Sequence, residues 1–342
     1  MKKIVLILVV CNCLFFLFSC SNGTQSPNVQ KDSKETKELS DNKEDVAKKA
    51  TGTSVDVADD GTFVFLRGTD EKYEFYDIDE KRIYEGLLKE NFAISCWHTY
   101  KQHLYIMVND RKNKLNRLKD INLETKEERW LNPPNSAFYI YKDNIYFSDA
   151  GEDTGIVKKT DLECNAVKSI SLSNNKEGAF LELIYNDKMY YVIQNKIYTC
   201  DLEGEEKQCI MKDQKIKTIF YSFDAMDDRL YFLAENIDNK TCVYCISLSS
   251  YELEEAVCEE VSCYALGEKG IFYVSEDDGN VCYKTYKNPQ TAEKIAMENG
   301  SNSILEYGGN GWLIEEQKSI SDGRIYAFNE LKGVSKILFQ VN

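Results

Sequence analysis

The sequence predicts an all-β protein, a β-propeller of four-stranded antiparallel blades, seven in number. Three observations carry that expectation. A short apolar run behind a turn recurs, its first apolar residues being Phe63, Leu104, Ile145, Met189, Leu230, Ile271 and Trp312, spaced 41, 41, 44, 41, 41 and 41 residues apart. A second landmark, a run ending near Asp or Asn and then Leu or Ile, follows in most units: Phe75-Tyr-Asp-Ile, Lys119-Asp-Ile, Lys159-Thr-Asp-Leu, Thr199-Cys-Asp-Leu, Phe328-Asn-Glu-Leu. The fifth unit has Cys245-Ile-Ser-Leu, and the sixth is degraded to Tyr283-Lys-Thr-Tyr. No amphipathic helical stretch survives between these runs. Tandem units of ~40 residues with four strands each are the mark of propeller blades. One four-stranded sheet exposes two apolar faces, and stacking such sheets around a closed ring buries both.

The chain opens on Met1-Lys2-Lys3, followed by an apolar run over residues 4–18 with one polar break at Asn12, and then by Ser19 and Cys20. A basic start, a short apolar run and a small residue before the cut have the layout of a secretory signal. The run is shorter than the ~20 apolar residues that span a bilayer. Leu17-Phe18-Ser19-Cys20 resembles the bacterial lipobox, in which a thiol at the cut site is diacylated before cleavage; Phe18 is bulkier than that pattern usually has. The resemblance implies a signal peptide at 1–19, a lipid on Cys20, and attachment to the extracytoplasmic face of the cell membrane. Two acyl chains hold stably where one is marginal. An ordinary cleaved signal with a free Cys20, or an uncleaved anchor, is the alternative; Cys11 and Cys13 sit inside the apolar run.

Residues 20–52 read as the lipidated cysteine and a charged tether. Between Lys31 and Lys49 six lysines stand against six acids, and residues 21 to about 50 contain no aromatic side chain. Such a segment buries too little surface to offset its ordering entropy and is expected to stay mobile, as a spacer between membrane and domain.

The propeller is expected over residues 53–342. Inner strands precede the anchors, as in Ala137-Phe-Tyr-Ile-Tyr and Phe180-Leu-Glu-Leu-Ile-Tyr, and outer strands end the units, as in Ser335-Lys-Ile-Leu-Phe-Gln-Val. The first and last units both contain all their strands, so ring closure requires no strand swapped between the termini. Many Tyr and Phe (22 and 16) with few Pro (4) suit half-buried strands. Formal charge is −15; the signal segment carries +2 and the tether is balanced, so the remainder carries −17. That charge argues against nucleic acid or anionic lipid as the domain's partner and leaves cations, cationic peptides and neutral ligands open.

Tyr146-Phe147-Ser148-Asp149, followed by Gly155-Ile-Val-Lys-Lys-Thr-Asp-Leu, resembles the Tyr-Trp-Thr-Asp repeat of low-density-lipoprotein-receptor-type propellers. Tyr231-Phe-Leu-Ala-Glu and Phe272-Tyr-Val-Ser-Glu are looser copies; the Trp of the pattern is absent throughout, and the seventh copy departs furthest. The chain looks like bacterial lipoproteins that carry such propellers. The resemblance implies the fold and a tendency to bind proteins or peptides, and it transfers no catalytic residue.

Candidate chemistry is sparse. After the signal the chain has two histidines, His98 and His103, and no Gly-x-Ser-x-Gly motif. His98, beside Trp97 in the predicted inner strand of blade two, is a candidate for lining the central channel. Trp97, Tyr139 and Trp312 are candidate contact residues, although core packing explains them as well. The acid-rich turns Asp149-Ala-Gly-Glu-Asp-Thr-Gly and Glu276-Asp-Asp-Gly-Asn lack the alternating ligands of a Ca²⁺ loop, and hairpin turns favour Asp, Asn and Gly in any case. No metal site, catalytic residue or cofactor is predicted. Nine cysteines follow Cys20: 96, 164, 200, 209, 242, 245, 258, 263 and 282. Cys242-Val-Tyr-Cys245 has redox-pair spacing but lies on a predicted strand, where residues three apart face opposite sides. Cys200 with Cys209, and Cys245 with Cys258, are placed to pair across hairpins. A few disulfides or a set of free thiols both fit.

Two functions follow. The first is a lipid-anchored binding or scaffold module that engages a surface protein, peptide or glycan. The second is a metal-dependent hydrolase or lyase built at the channel mouth from residues of several blades.

Overall fold

A computed structural model describes residues 46–47, 55–57, 63–68, 72–87, 92–133, 137–148, 155–173, 178–211, 215–295, 303–308, 311–317 and 324–340. They form seven antiparallel sheets, one after another: blades one to seven occupy 55–87, 92–131, 137–171, 180–209, 216–257, 261–294 and 303–340. Within each blade the four strands pair in chain order, from the innermost to the outermost. The fourth sheet carries one strand more, Val46–Ala47. The first strands of blades five and six, six and seven, seven and one, and one and two touch each other around the axis. The protein is thus a seven-bladed β-propeller. Blades one and seven are each completed from contiguous chain, so no strand is shared at the closure.

The sequence pattern has a packing cause. Second strands such as His103–Asp110, Lys188–Ile193 and Gly270–Ser275 are buried almost throughout, whereas the outermost Glu128–Leu131 and Lys168–Ser171 are mostly exposed. A strand covered on both faces reads as a continuous apolar run, and that run is what recurs. Its anchor residue packs on the preceding blade. Leu104 shares a buried cluster with Val64, Tyr73 and Phe75 of blade one, and Ile145 with Tyr105 and Met107 of blade two. Met189, Leu230 and Ile271 repeat the contact with blades three, four and five.

One anchor differs from the others. In blade seven the residue that packs on blade six is Leu313, beside Phe272 and Val274, while Trp312 packs toward blade one; in blade one Phe65, two residues beyond Phe63 and in phase with it, packs on blade seven beside Ile314 and Ile325. Trp312-Leu-Ile is apolar at successive positions, so the start of the run does not mark the strand's facing residue there.

The second landmark is the turn between third and fourth strands. The Asp77 Oδ1 atom accepts the N–H groups of Asp79 and Lys81, and Asp161 and Asp201 repeat this with the residues two and four further on. In blade two that role belongs to Asn122, which accepts from Glu124 and Thr125, rather than to Asp120. Short polar side chains that bond their own backbone initiate such turns.

Turns between first and second strands hold two consecutive residues at positive φ: Lys101 and Gln102, Lys142 and Asp143, Asn186 and Asp187, Asp227 and Asp228. This backbone matches the right-handed twist of a two-residue hairpin. These turns also join blades. Lys101 Nζ lies 2.8 Å from Asp143 Oδ1, while the Tyr100 hydroxyl accepts the Asp143 N–H at 3.1 Å; Lys142 and Tyr141 hold Asp187 of blade four in the same way.

The predicted signal peptide, Cys20 and most of the tether lie outside the described residues. Within the tether, Val46–Ala47 is paired: Val46 stands opposite Tyr185 and Ala47 opposite Ile184. The spacer predicted as mobile as far as residue 52 therefore contains an ordered contact with the ring.

Candidate functional site

Among the described residues, the turns between first and second strands and those between third and fourth lie on one rim, as the strand order requires. On this rim, between blades two and three, lies a polar pocket of about 620 Å³ lined by His103, Asp120, Asn122, Glu127, Glu128, Arg129 and Glu163. His103 opens the second strand of blade two, where it pairs with Asn122; Asp120 lies opposite Arg129 of the outer strand. Glu163 comes from the corresponding turn of blade three.

Asp120 organises the pocket. Its side chain is 1% exposed, and one oxygen lies 2.7 Å from His103 Nδ1 while the other accepts from Arg129 Nε at 2.6 Å. A carboxylate at Nδ1 fixes the imidazole's orientation. The remaining ring nitrogen faces the Asn122 amide at 3.4 Å, and His103 stacks on Tyr105 with ring centroids 6.1 Å apart. Arg129 also pairs with Glu163, which ties blade two to blade three. Its guanidinium is held protonated most strongly by Glu163 and then, against the cost of burial, by Asp120. One guanidinium, one imidazole and one carboxamide among four carboxylates leave a pocket rich in acceptors, in which Asp120 fixes the direction of the Arg129 and His103 side chains.

Alongside, Lys119 is almost buried; its ammonium pairs with Glu128 at 2.6 Å and lies 5.3 Å from the Trp130 ring. Burial raises the Glu128 carboxyl, but the Lys119 and Tyr84 contacts outweigh it and bring it below the ordinary value.

The candidates read from sequence sit elsewhere. Trp97 and Tyr139 are fully buried. Trp97 packs edge-on against Phe75 of blade one at 4.8 Å, and the Tyr139 hydroxyl donates to the Leu181 carbonyl of blade four. Both are seam residues with no surface to offer a partner, because inner-strand side chains point at neighbouring blades rather than into the channel. His98 lies in the inner strand, as expected, but is buried against Asp56 of blade one at 3.1 Å. Trp312 is partly buried, and its ring faces Lys336 at 5.4 Å. None of the four lines the rim pocket. Sequence reading missed that pocket because Asp120 and Glu163 meet His103 only across strand register and a blade boundary.

The turn at 276–280 behaves as a turn: the Asn280 N–H donates to Asp278 Oδ1 at 3.1 Å, and Lys294 holds the Asp278 carboxyl down to about 2. The acid-rich residues 149–154 lie outside the described residues. Among the described residues no group of three or more His, Cys, Asp or Glu side chains is placed to hold a metal ion. The nine described cysteines are free thiols. Cys242 faces the seam with blade four and Cys245 the seam with blade six, on opposite sides of one strand. Cys209 stands opposite Tyr198 rather than Cys200, and Cys245 stands opposite Glu254.

Fold and pocket together define the class, a seven-bladed propeller with a polar site on one rim. No family profile matches the chain, and no curated protein matches it. Solved structures do. A prolyl endopeptidase superposes with a TM-score of 0.62 at 12% identity, over 87% of this chain and 49% of its own. A puromycin hydrolase gives 0.61 at 9% identity, over 86% and 54%. Virginiamycin B lyase from Staphylococcus aureus gives 0.53 at 14% identity, over 80% and 95%. This chain spans about half the length of the first two. At these identities the likeness is one of fold.

Proposed function

We propose that the protein is a lipid-anchored extracytoplasmic binding module, held to the membrane through Cys20, whose propeller takes a peptide or glycan at the rim pocket between blades two and three. The observation that carries this reading is the buried Asp120 carboxylate, which holds both His103 and Arg129 in fixed directions at an open pocket. Pre-oriented donors and acceptors recognise hydroxyl-rich or cationic groups without losing much side-chain freedom on binding. The resemblance of the blades to the low-density-lipoprotein-receptor type, and the acidic domain, agree with a protein, peptide or glycan partner.

Calorimetry of the full chain against panels of soluble oligosaccharides and lysine-rich peptides tests the pocket. A ligand whose affinity falls about tenfold or more in Asp120→Asn supports it, a loss typical of a charge-assisted contact. If nothing binds, or if Asp120→Asn binds equally well, the pocket is not the site. Mass spectrometry of the mature N-terminus tests the anchor: a Ser21 start or an unmodified Cys20 refutes it.

A second reading, a hydrolase or lyase, is favoured by the His103–Asp120 pair, whose geometry suits a general base, and by the fold shared with puromycin hydrolase and virginiamycin B lyase. Stoichiometric Zn²⁺ or Ca²⁺ in the purified protein, or turnover lost in His103→Gln, favours it over the first.

A further inference from the structure

We propose that the channel-facing edge of the inner strand of blade four, Phe180–Tyr185, is a strand-addition site for an extended peptide, and that in the free protein Val46–Ala47 of the chain itself occupies it. This rests on the reading of the propeller as a binding module and names the form its partner takes.

An inner strand is paired on one side only, so the backbone groups of its other edge face the channel and are open to pairing. Among the described blades, blade four alone carries a fifth strand, with Val46 opposite Tyr185 and Ala47 opposite Ile184. That strand also lies against Ala137–Tyr141, the inner strand of blade three. It is antiparallel to Phe180–Tyr185, which ends at the rim of the first-to-second-strand turns. Val46–Ala47 therefore runs inward from the rim that also carries the polar pocket.

This edge belongs to the longest unit, the one ending at Met189, which is 44 residues long where the others are 41. The inner strand of blade four is bulged between Leu181 and Leu183, as the inner strands of blades two, five and six are bulged, and the Tyr139 hydroxyl of blade three bonds the Leu181 carbonyl from a fully buried position. Tyr139 thus acts as a positioning residue for the edge. Pairing of this kind uses backbone groups and leaves sequence demands loose, so a segment from another protein competes with the chain's own.

The test uses the full chain and a double variant, Val46→Pro with Ala47→Pro, which removes both amide donors of the segment. Hydrogen exchange reads the Ile184 and Tyr185 amides, and fluorescence anisotropy reads binding of a labelled peptide with the sequence of residues 43–50. In the variant the edge amide exchanges about tenfold faster or more, and the peptide binds about tenfold more tightly, the factor expected when the chain's own segment fills the edge roughly nine-tenths of the time. Unchanged exchange overturns the proposal, because the segment is then not on the edge. Faster exchange without tighter peptide binding also overturns it, because the edge then admits no second strand. Asp120→Asn keeps this separate from the rim pocket: it leaves the anisotropy unchanged, and a peptide lost in Asp120→Asn sits in the pocket instead and refutes strand addition.

Discussion

Asp56 of blade one and His98 of blade two meet with 3.1 Å between Oδ1 and Nδ1, both side chains buried, and the second Asp56 oxygen accepts the Thr99 N–H at 3.1 Å. One carboxylate thus joins the inner strands of the first two blades. Asp56→Ala leaves the Thr99 amide without that acceptor and is expected to cost about 1–3 kcal/mol. Denaturant midpoints of Asp56→Ala, His98→Ala and the double variant measure it, and a coupling energy below about 0.5 kcal/mol contradicts a direct link.

The Lys101–Asp143 contact is expected to matter far less. Both side chains are 57% exposed. Lys101→Ala is expected to leave the denaturation midpoint nearly unchanged, since exposed ion pairs lose to solvent screening and side-chain entropy what they gain by attraction. A larger loss in the same denaturation assay shows that the turn-to-turn ladder is cooperative.

Gly270 opens the second strand of blade six, where a Cβ comes within 2.3 Å of the Lys284 carbonyl oxygen and 2.8 Å of Thr285 Cα. Both are backbone atoms of the paired strand and cannot swing aside. Gly270→Ala is expected to lower stability by about 1–3 kcal/mol, as overpacking does. An unchanged melting temperature means that the hairpin can widen.

Acid should loosen the seam between blades three and four. Lys168, then Lys159, both of blade three, hold the Glu203 carboxyl of blade four down to about 2. A carboxyl depressed on folding contributes stability that is complete above its unfolded value, ~4.3, and fades as pH falls toward the folded one. Melting temperature is therefore expected to fall between pH 5 and pH 2 as an approximate window, and to fall less steeply in Glu203→Gln. Parallel curves for the two proteins argue against this contact.

Thiol reactivity should divide the nine cysteines. Cys258 is exposed, whereas burial pushes Cys200, Cys242 and Cys263 up to about 12. Thiolate is the reactive form. Brief alkylation of the native protein is expected to label Cys258 first, and all nine react once it is unfolded. Early labelling at Cys200 or Cys242, read by peptide mapping, contradicts the buried placement.

The propeller was legible because each blade repeats one contact. Leu104, Ile145, Met189, Leu230 and Ile271 each pack on the blade before them, so identical surroundings select similar residues at a nearly constant interval. Register blurred where apolar residues adjoin, as at Trp312-Leu, because apolar character alone does not say which of two neighbours faces the seam. The polar pocket was illegible for a related reason. His103 and Asp120 both stand in recurring motifs, and their meeting depends on strand pairing, while Glu163 arrives 34 residues beyond Arg129 from another blade. Cys242 and Cys245 face opposite seams, as strand alternation alone predicts.

Closure without a shared strand has an architectural consequence. The chain leaves blade seven on its outer strand and enters blade one on its inner strand, the same relation that joins blade two to blade three through residues 132–136. Geometrically, then, the two ends form one more junction of the same kind, left open. A circular permutant that begins at the inner strand of blade three, with residues 340 and 55 joined by a linker of similar length, contains the same seven seams. Apart from the Val46–Ala47 strand, which it lacks, it differs only in which seam is the last to shut, so the starting point of the ring belongs to the gene and not to the fold.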